Sequence, residues 1–172
     1  MPEQIVIVEY DPNWPSLFFK LKTPVAEVLG DLALAIEHVG STSVPGLAAK
    51  PIIDMDVVVA STAYIRATTL ALATLGYVHE GDLGIEGREA FLCPSNTPRH
   101  HLYVCPRDSK ELRRHLSFRD YLIKHSDKAH RYARLKLELA QKFASNRQAY
   151  TDAKSEYIQM ITERALHDLG AI

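Results

Sequence analysis

The segment HVGSTSVPGLAAKPIIDMDVVV, from His38 to Val59, constrains the fold more than any other part of the chain. Its second half, PIIDMDVVV from Pro51, has the β-branched density of a strand despite its two acids. Side chains alternate along a strand, so Asp54 and Asp56 share one face with about 7 Å between their Cα atoms. Ile53, Met55, Val57 and Val59 then face the other way, toward a core. Like charges that close, flanked by Ile52 and Val58, disfavour each other's ionised form unless a cation lies between them. Hard oxygen donors favour Mg²⁺, with Mn²⁺ as the alternative, and Mg²⁺ keeps water and substrate phosphate in its remaining positions.

The first half of the segment offers an anion site to match. Gly40-Ser41-Thr42-Ser43 follows a brief strand around Ile36 to Val39 and brings backbone N–H groups and three hydroxyls into a tight turn. It is not a Walker A loop, since Gly46 lies six positions after Gly40 rather than five and Lys50 a further four on. Each feature alone has a plain structural reading, a solvent-facing sheet edge for the acids and an ordinary turn for the serines. Their occurrence together, at hairpin separation, is what points to phosphate and metal.

Around this segment, an α/β (α+β) order is expected. Ile5 to Glu9 reads as a short strand, and Asp11 or Asn13 caps a helix from Trp14-Pro15 to Gly30 that Pro24 can kink. Ser61 caps a second helix ending at Gly76. GYVHEG, EAFLC and RHHLYVC read as three further strands, completing a small mixed sheet with flanking helices. From Asp108, paired with Glu111 as a capping box, helical periodicity runs to the end with breaks near Ser126 and Asn146. Tyr132, Leu135, Leu139 and Phe143 form one stripe of this C-terminal helical layer. Tyr157, Met160, Ile161, Ala165 and Leu169 form another, stopped by Gly170. A chain of 172 residues, 47% apolar, is read as one domain over 1–172, with an α/β core at 1–107 and helices packed on it at 108–172.

Charge and cysteine content narrow the function classes. A formal charge of -1 provides no global field for nucleic acid or anionic lipid, which makes nucleic acid an unlikely partner. Only Cys93 and Cys105 are present, the start has no secretory leader, and no stretch approaches the roughly 18 uninterrupted apolar residues of a membrane span. A cytoplasmic protein with reduced thiols and no membrane partner is the expectation.

The residues HVGSTSVPGLAAKPIIDMDV resemble the GrpB-like proteins, which belong to the nucleotidyltransferase fold superfamily and also occur fused to dephospho-coenzyme A kinases. The likeness continues through DPNWP (Asp11 to Pro15), HHLYV (His100 to Val104), FRDYL (Phe118 to Leu122), YARLK (Tyr132 to Lys136) and YTDAK (Tyr150 to Lys154), covering nearly the whole chain. The resemblance implies a nucleotidyltransferase-like sheet whose Gly40-Ser41 turn grips a nucleoside triphosphate while Asp54 and Asp56 bind Mg²⁺. The implied reaction is attack by a small-molecule or protein acceptor on the α-phosphate, with pyrophosphate leaving. An association with coenzyme A biosynthesis follows by the same analogy.

This chain departs from the pattern on the later strand. Active members of the superfamily usually supply a third carboxylate there, whereas RHHLYVC offers His101, Tyr103 and Cys105 on one face, and the family often reads His-x-His where Tyr103 stands. His101 is the candidate base or ligand, against a histidine hydrogen-bonded inside a sheet. The missing acid also supports an alternative, a non-catalytic nucleotide- and metal-binding regulatory module. Lys50 borders the acidic strand and joins Gly40, Ser41, Thr42 and Ser43 as a candidate phosphate group, with Arg88 and Arg99 near strand ends. Lys136, Arg147 and Lys154 are candidates to lend charge from the helical layer, against the commoner reading of the two lysines, each four residues from a tyrosine, as solvated side chains passing over a ring. Trp14 reads as a packing anchor, and Arg119 with Asp120 as a local salt bridge.

Overall fold

A computed structural model describes residues 4–170; the first three and last two residues of the expected 1–172 domain lie outside the described residues. Its centre is the strand that carries the acids. β1 (Ala35–Val39), β2 (Ile53–Val59), β3 (Val78–Gly81), β4 (Glu89–Leu92) and β5 (His100–Pro106) form a five-stranded sheet in the order β1-β2-β5-β4-β3. β2 and β5 run parallel and the other pairs antiparallel, giving the mixed sheet that the sequence suggests. Between these two parallel strands the chain passes through helix α2 (Ile65–Ala73) and the β3–β4 hairpin.

Alternation along β2 and β5 sets the two faces. Ile53, Met55 and Val57 pair with His100, Leu102 and Val104, and all six are buried on one face. Helix α1 (Trp14–Leu29) covers that face: Phe18 stacks at 4.7 Å on His38, whose partner in the ladder is Met55. Trp14, Phe18, Leu21, Val25 and Leu29 recur at helical spacing and are the buried residues of α1. Each fully buried apolar side chain of this kind contributes about 1.5–3 kcal/mol. Pro24 is carried inside an unbroken helix. The opposite face presents Asp54, Asp56 and Val58 against His101, Tyr103 and Cys105.

The residues divide into two compact units. Pro12–Val39 and Ile52–His115 hold the sheet with α1 and α2; Met1–Asp11, Gly40–Pro51 and Leu116–Ile172 form the other, and the division falls inside α3 (Lys110–Lys124). In the second unit α4 (Ser126–Lys142) packs against α5 (Arg147–Asp168), with Asn146 accepting from the Ala149 amide as its cap. Its core gathers Val44, Leu47, Phe118, Leu122, Ala129, Tyr132 and Ile161. Tyr132 stacks on Tyr157 and meets Phe118 edge-on.

Several local expectations are corrected. Ile5 to Glu9 is not a strand; only Val8 pairs, antiparallel with Ala49, and the Ile5 amide donates to the Ala144 carbonyl. Ser109, not Asp108, caps α3, its hydroxyl accepting from the Leu112 amide. Leu169 lies at the exposed end of its stripe, beside Gly170 with its left-handed φ of 67°. Lys136 is not solvated: it is 2% exposed, and its Nζ donates to the Ala48 carbonyl at 2.5 Å while lying 4.6 Å from the Tyr132 ring centre. The carbonyl and the ring face together replace water around the ammonium.

On the α1-covered face, His100 is buried between two polar partners. Its Nδ1–H donates to the Pro98 carbonyl and its Nε2 accepts from the Tyr77 hydroxyl, both at 2.6 Å. Burial pushes the imidazole pKa below its ordinary value, against the pull of the Pro98 carbonyl, and burial likewise pushes Tyr77 up to about 12, so the phenol remains the donor. The unfolded chain therefore binds the proton first as pH falls, and stability contributed above about pH 6.5 is lost below it. Urea unfolding is expected to show a falling midpoint from pH 7 to pH 5, with a shallower fall in His100→Gln. An unchanged slope in that variant would contradict the buried neutral histidine.

Candidate functional site

The paired acids on β2 lie in different surroundings. Asp54 is partly exposed and its Oδ1 accepts from His101 Nδ1 at 2.7 Å, the residue directly beside it on β5. Asp56 is fully buried, and its Oδ2 accepts from His115 Nδ1 at 2.6 Å. Asp56 Oδ1 is buried with no hydrogen-bond partner. Burial raises the Asp56 carboxyl pKa more than the His115 bond lowers it, and the charge of Asp54 adds to the rise. Burial alone would lower His115, but its hydrogen bonds to Asp56 and Glu111 outweigh that and carry it up to about 9. At neutral pH His115 therefore keeps both ring protons, one facing Asp56 and the other Glu111.

Glu111 and His115 share a face of α3 one turn apart, and His115 Nε2 lies 3.1 Å from Glu111 Oε1. Arg114 holds the other Glu111 oxygen at 2.9 Å. Burial would raise Glu111, yet the His115 hydrogen bond and the Arg114 charge bring its pKa below the ordinary value. The start of α3 is anchored at Gly87, whose carbonyl accepts from Ser109 Oγ at 2.5 Å. Gly87 has a φ of +89° and a Cβ there would sit 2.9 Å from that hydroxyl, so both backbone and space require glycine. The neighbouring Arg88 lays its guanidinium 4.3 Å from the Tyr103 ring centre, with a buried Nε that lacks a partner. Tyr103 lies between the rings of His101 and His115, and burial with the Asp54 charge pushes its hydroxyl up to about 12. The Cys105 thiol is raised by burial and by Asp56, which keeps it protonated.

Asp54 and Asp56 share a face as their spacing suggests, and the β2–β5 ladder brings His101 beside Asp54. His115 and Glu111 were missed, although an acid and a histidine four apart at a helix start were the available signal. Glu37 was also passed over; β1 pairs it with Asp56. Gly40 follows Val39, the ladder partner of Asp54, with φ 72°. In the Ser41–Ser43 turn, the Ser43 amide and hydroxyl both donate to the Gly40 carbonyl, and Thr42 is buried. Lys50 Nζ lies 4.7 Å from the Tyr150 ring centre, and Lys154 Nζ 4.8 Å from the same centre.

Among the described residues, no three His, Cys, Asp or Glu side chains converge as a ready-made metal cage. The donor set still fits Mg²⁺, which takes one or two carboxylates and completes its shell with water and phosphate. The orphaned Asp56 Oδ1 beside Asp54 is the observation that supports this fit, and ligating carboxylates are normally hydrogen-bonded in turn, as Asp54 is by His101 and Asp56 by His115.

The five-stranded mixed sheet with its helices is a nucleotidyltransferase-like fold. Cid1 poly(U) polymerase shares it with a TM-score of 0.53 at 12% identity, over 83% of this chain and 44% of that one. The GrpB protein family model matches residues 4–164, and the chain belongs to that family. A GrpB protein from Enterococcus faecalis superposes with a TM-score of 0.86 at 33% identity, covering 95% of this chain and 99% of that one. The UPF0157 protein BH1888 of Halalkalibacterium halodurans is 42% identical over 94% of this chain and 82% of its own length. YqkA of Bacillus subtilis is 36% identical over 94% of this chain, which spans only 47% of YqkA. A dephospho-CoA kinase of Mycolicibacterium paratuberculosis is 35% identical over 41% of this chain and 18% of that protein.

Ser109→Ala removes both the α3 cap and the tie to Gly87, and is expected to destabilise the fold by about 1–2 kcal/mol in urea unfolding. Gly87→Ala should destabilise in the same direction through its positive φ and its contact with Ser109. Wild-type stability in both variants would show that this anchor does not hold the start of α3.

Proposed function

We propose that this chain binds a nucleoside triphosphate with Mg²⁺ and transfers its nucleotidyl group to a small-molecule or protein acceptor. The observation that carries the reading is the buried, unpartnered Asp56 Oδ1 next to Asp54, on the strand that follows the Gly-Ser turn. Asp54 and Asp56 are the metal ligands, with Mn²⁺ as a substitute ion. A bound ion there would neutralise triphosphate charge, the part such metals play in phosphoryl chemistry.

Gly40, Ser41, Thr42, Ser43 and Lys50 are the proposed phosphate groups. Ser41 contributes a hydroxyl, whereas the Ser43 hydroxyl is already donated to the Gly40 carbonyl. His101 gives its Nδ1–H to Asp54, which leaves Nε2 as the ring's acceptor. In this reading the acceptor hydroxyl loses its proton to His101 Nε2 as its oxygen bonds the α-phosphorus, and the bond to pyrophosphate breaks. Arg88, held over Tyr103, supplies positive charge on the same face of the sheet. The similarity to part of a dephospho-CoA kinase is the reason to include coenzyme A intermediates among acceptors tested.

A second reading rests on β5, which sets His101 and Tyr103, not an acid, beside Asp54 and Asp56. It is a binding module that takes nucleotide and metal without turnover. Incubation with each labelled nucleoside triphosphate and Mg²⁺ or Mn²⁺, with and without cell extract, separates the two. Pyrophosphate release that drops at least about 100-fold in Asp54→Asn, the scale of losing a principal electrostatic group, is the expected result for the transferase. Binding without release selects the module, and neither binding nor release rejects both.

A further inference from the structure

Resting on the metal reading above, we infer that His115 and Glu111 are positioning residues that hold Asp56 so that Oδ1 alone is offered to the ion. The geometry forms a continuous chain. Arg114 holds one oxygen of Glu111, the other meets His115 Nε2 at 3.1 Å, and His115 Nδ1 meets Asp56 Oδ2 at 2.6 Å. With a partner at each nitrogen the imidazole cannot turn about its ring axis without breaking a bond. Its bond to Oδ2 fixes the carboxylate plane. The remaining oxygen is then the unpartnered one.

Two further contacts keep this chain in place. Tyr103, the ladder neighbour of Asp56, sets its ring centre 6.1 Å from that of His115. Ser109, tied to Gly87, fixes the helix start from which Glu111 and His115 project. The third carboxylate that β5 lacks is therefore present on α3, reaching Asp56 through an imidazole rather than the ion directly. Supporting groups of this kind typically change metal affinity about 10–100-fold when removed.

The test measures Mn²⁺ binding by water-proton relaxation enhancement on the full chain, with a mixture of the four α,β-methylene nucleoside triphosphates present. Asp56→Asn should abolish binding, and His115→Phe and Glu111→Ala should each weaken it about 10–100-fold. His115→Asn, whose amide can donate to Oδ2 from the place of Nδ1, should recover most of the loss, which a merely structural role would not produce. If His115→Phe fails to fold, Glu111→Ala decides, since it leaves Asp56 and His115 in place. Wild-type affinity in the folded His115 and Glu111 variants, with binding lost in Asp56→Asn, overturns the positioning role and leaves the metal reading standing. No Mn²⁺ binding by the wild type overturns both.

Discussion

A carboxylate with no solvent exposure in the middle of a β-sheet is the constraint on which the rest of the site depends. Asp56 places its carboxyl where water cannot reach it, and burying such a group in its charged form is costly unless it is paired. The protein answers on one side with an imidazolium from α3, itself held by a second carboxylate and an arginine. The other oxygen is left without a partner. A fold that needed only stability would place an apolar side chain there, as it does at Met55 and Val57 on the covered face. The buried acid, with the helix start that supports it, is the ground on which the cation site is proposed.

The fold and the chemistry stand on different footings. The GrpB family is established by a match over most of the chain and by relatives near 40% identity, while the polymerase likeness at 12% identity concerns the arrangement of strands and helices. What the site does has to come from its own residues. Here β5 contributes a histidine and a tyrosine, and the added acid arrives from α3.

Much of the sheet was legible because period-2 patterning survives in the sequence. Alternation puts Asp54 and Asp56 on one face of β2 and His101 and Tyr103 on one face of β5; that the two faces coincide comes from the parallel, in-register pairing that only the structure shows. Helix α1 and the breaks before α4 and α5 were legible for the same kind of reason. His115 was not, since its i,i+4 spacing from Glu111 marks a pair on one helix face but does not show that the pair meets Asp56, 59 positions away. The buried Lys136 was misread because an exposed lysine beside a tyrosine has the same sequence pattern; only the Ala48 carbonyl 88 positions away distinguishes it. Ile5 to Glu9 has strand composition but makes a single bridge at Val8, where propensity yields to tertiary context.

Anomalous diffraction at the manganese edge, from crystals soaked with Mn²⁺ and a non-hydrolysable nucleoside triphosphate, addresses the central claim most directly. The account predicts a peak within coordination distance of Asp56 Oδ1 and an Asp54 oxygen, with His115 still on Asp56 Oδ2. Nucleotide bound with its metal elsewhere, or a manganese peak that leaves Asp56 Oδ1 bare, would contradict it.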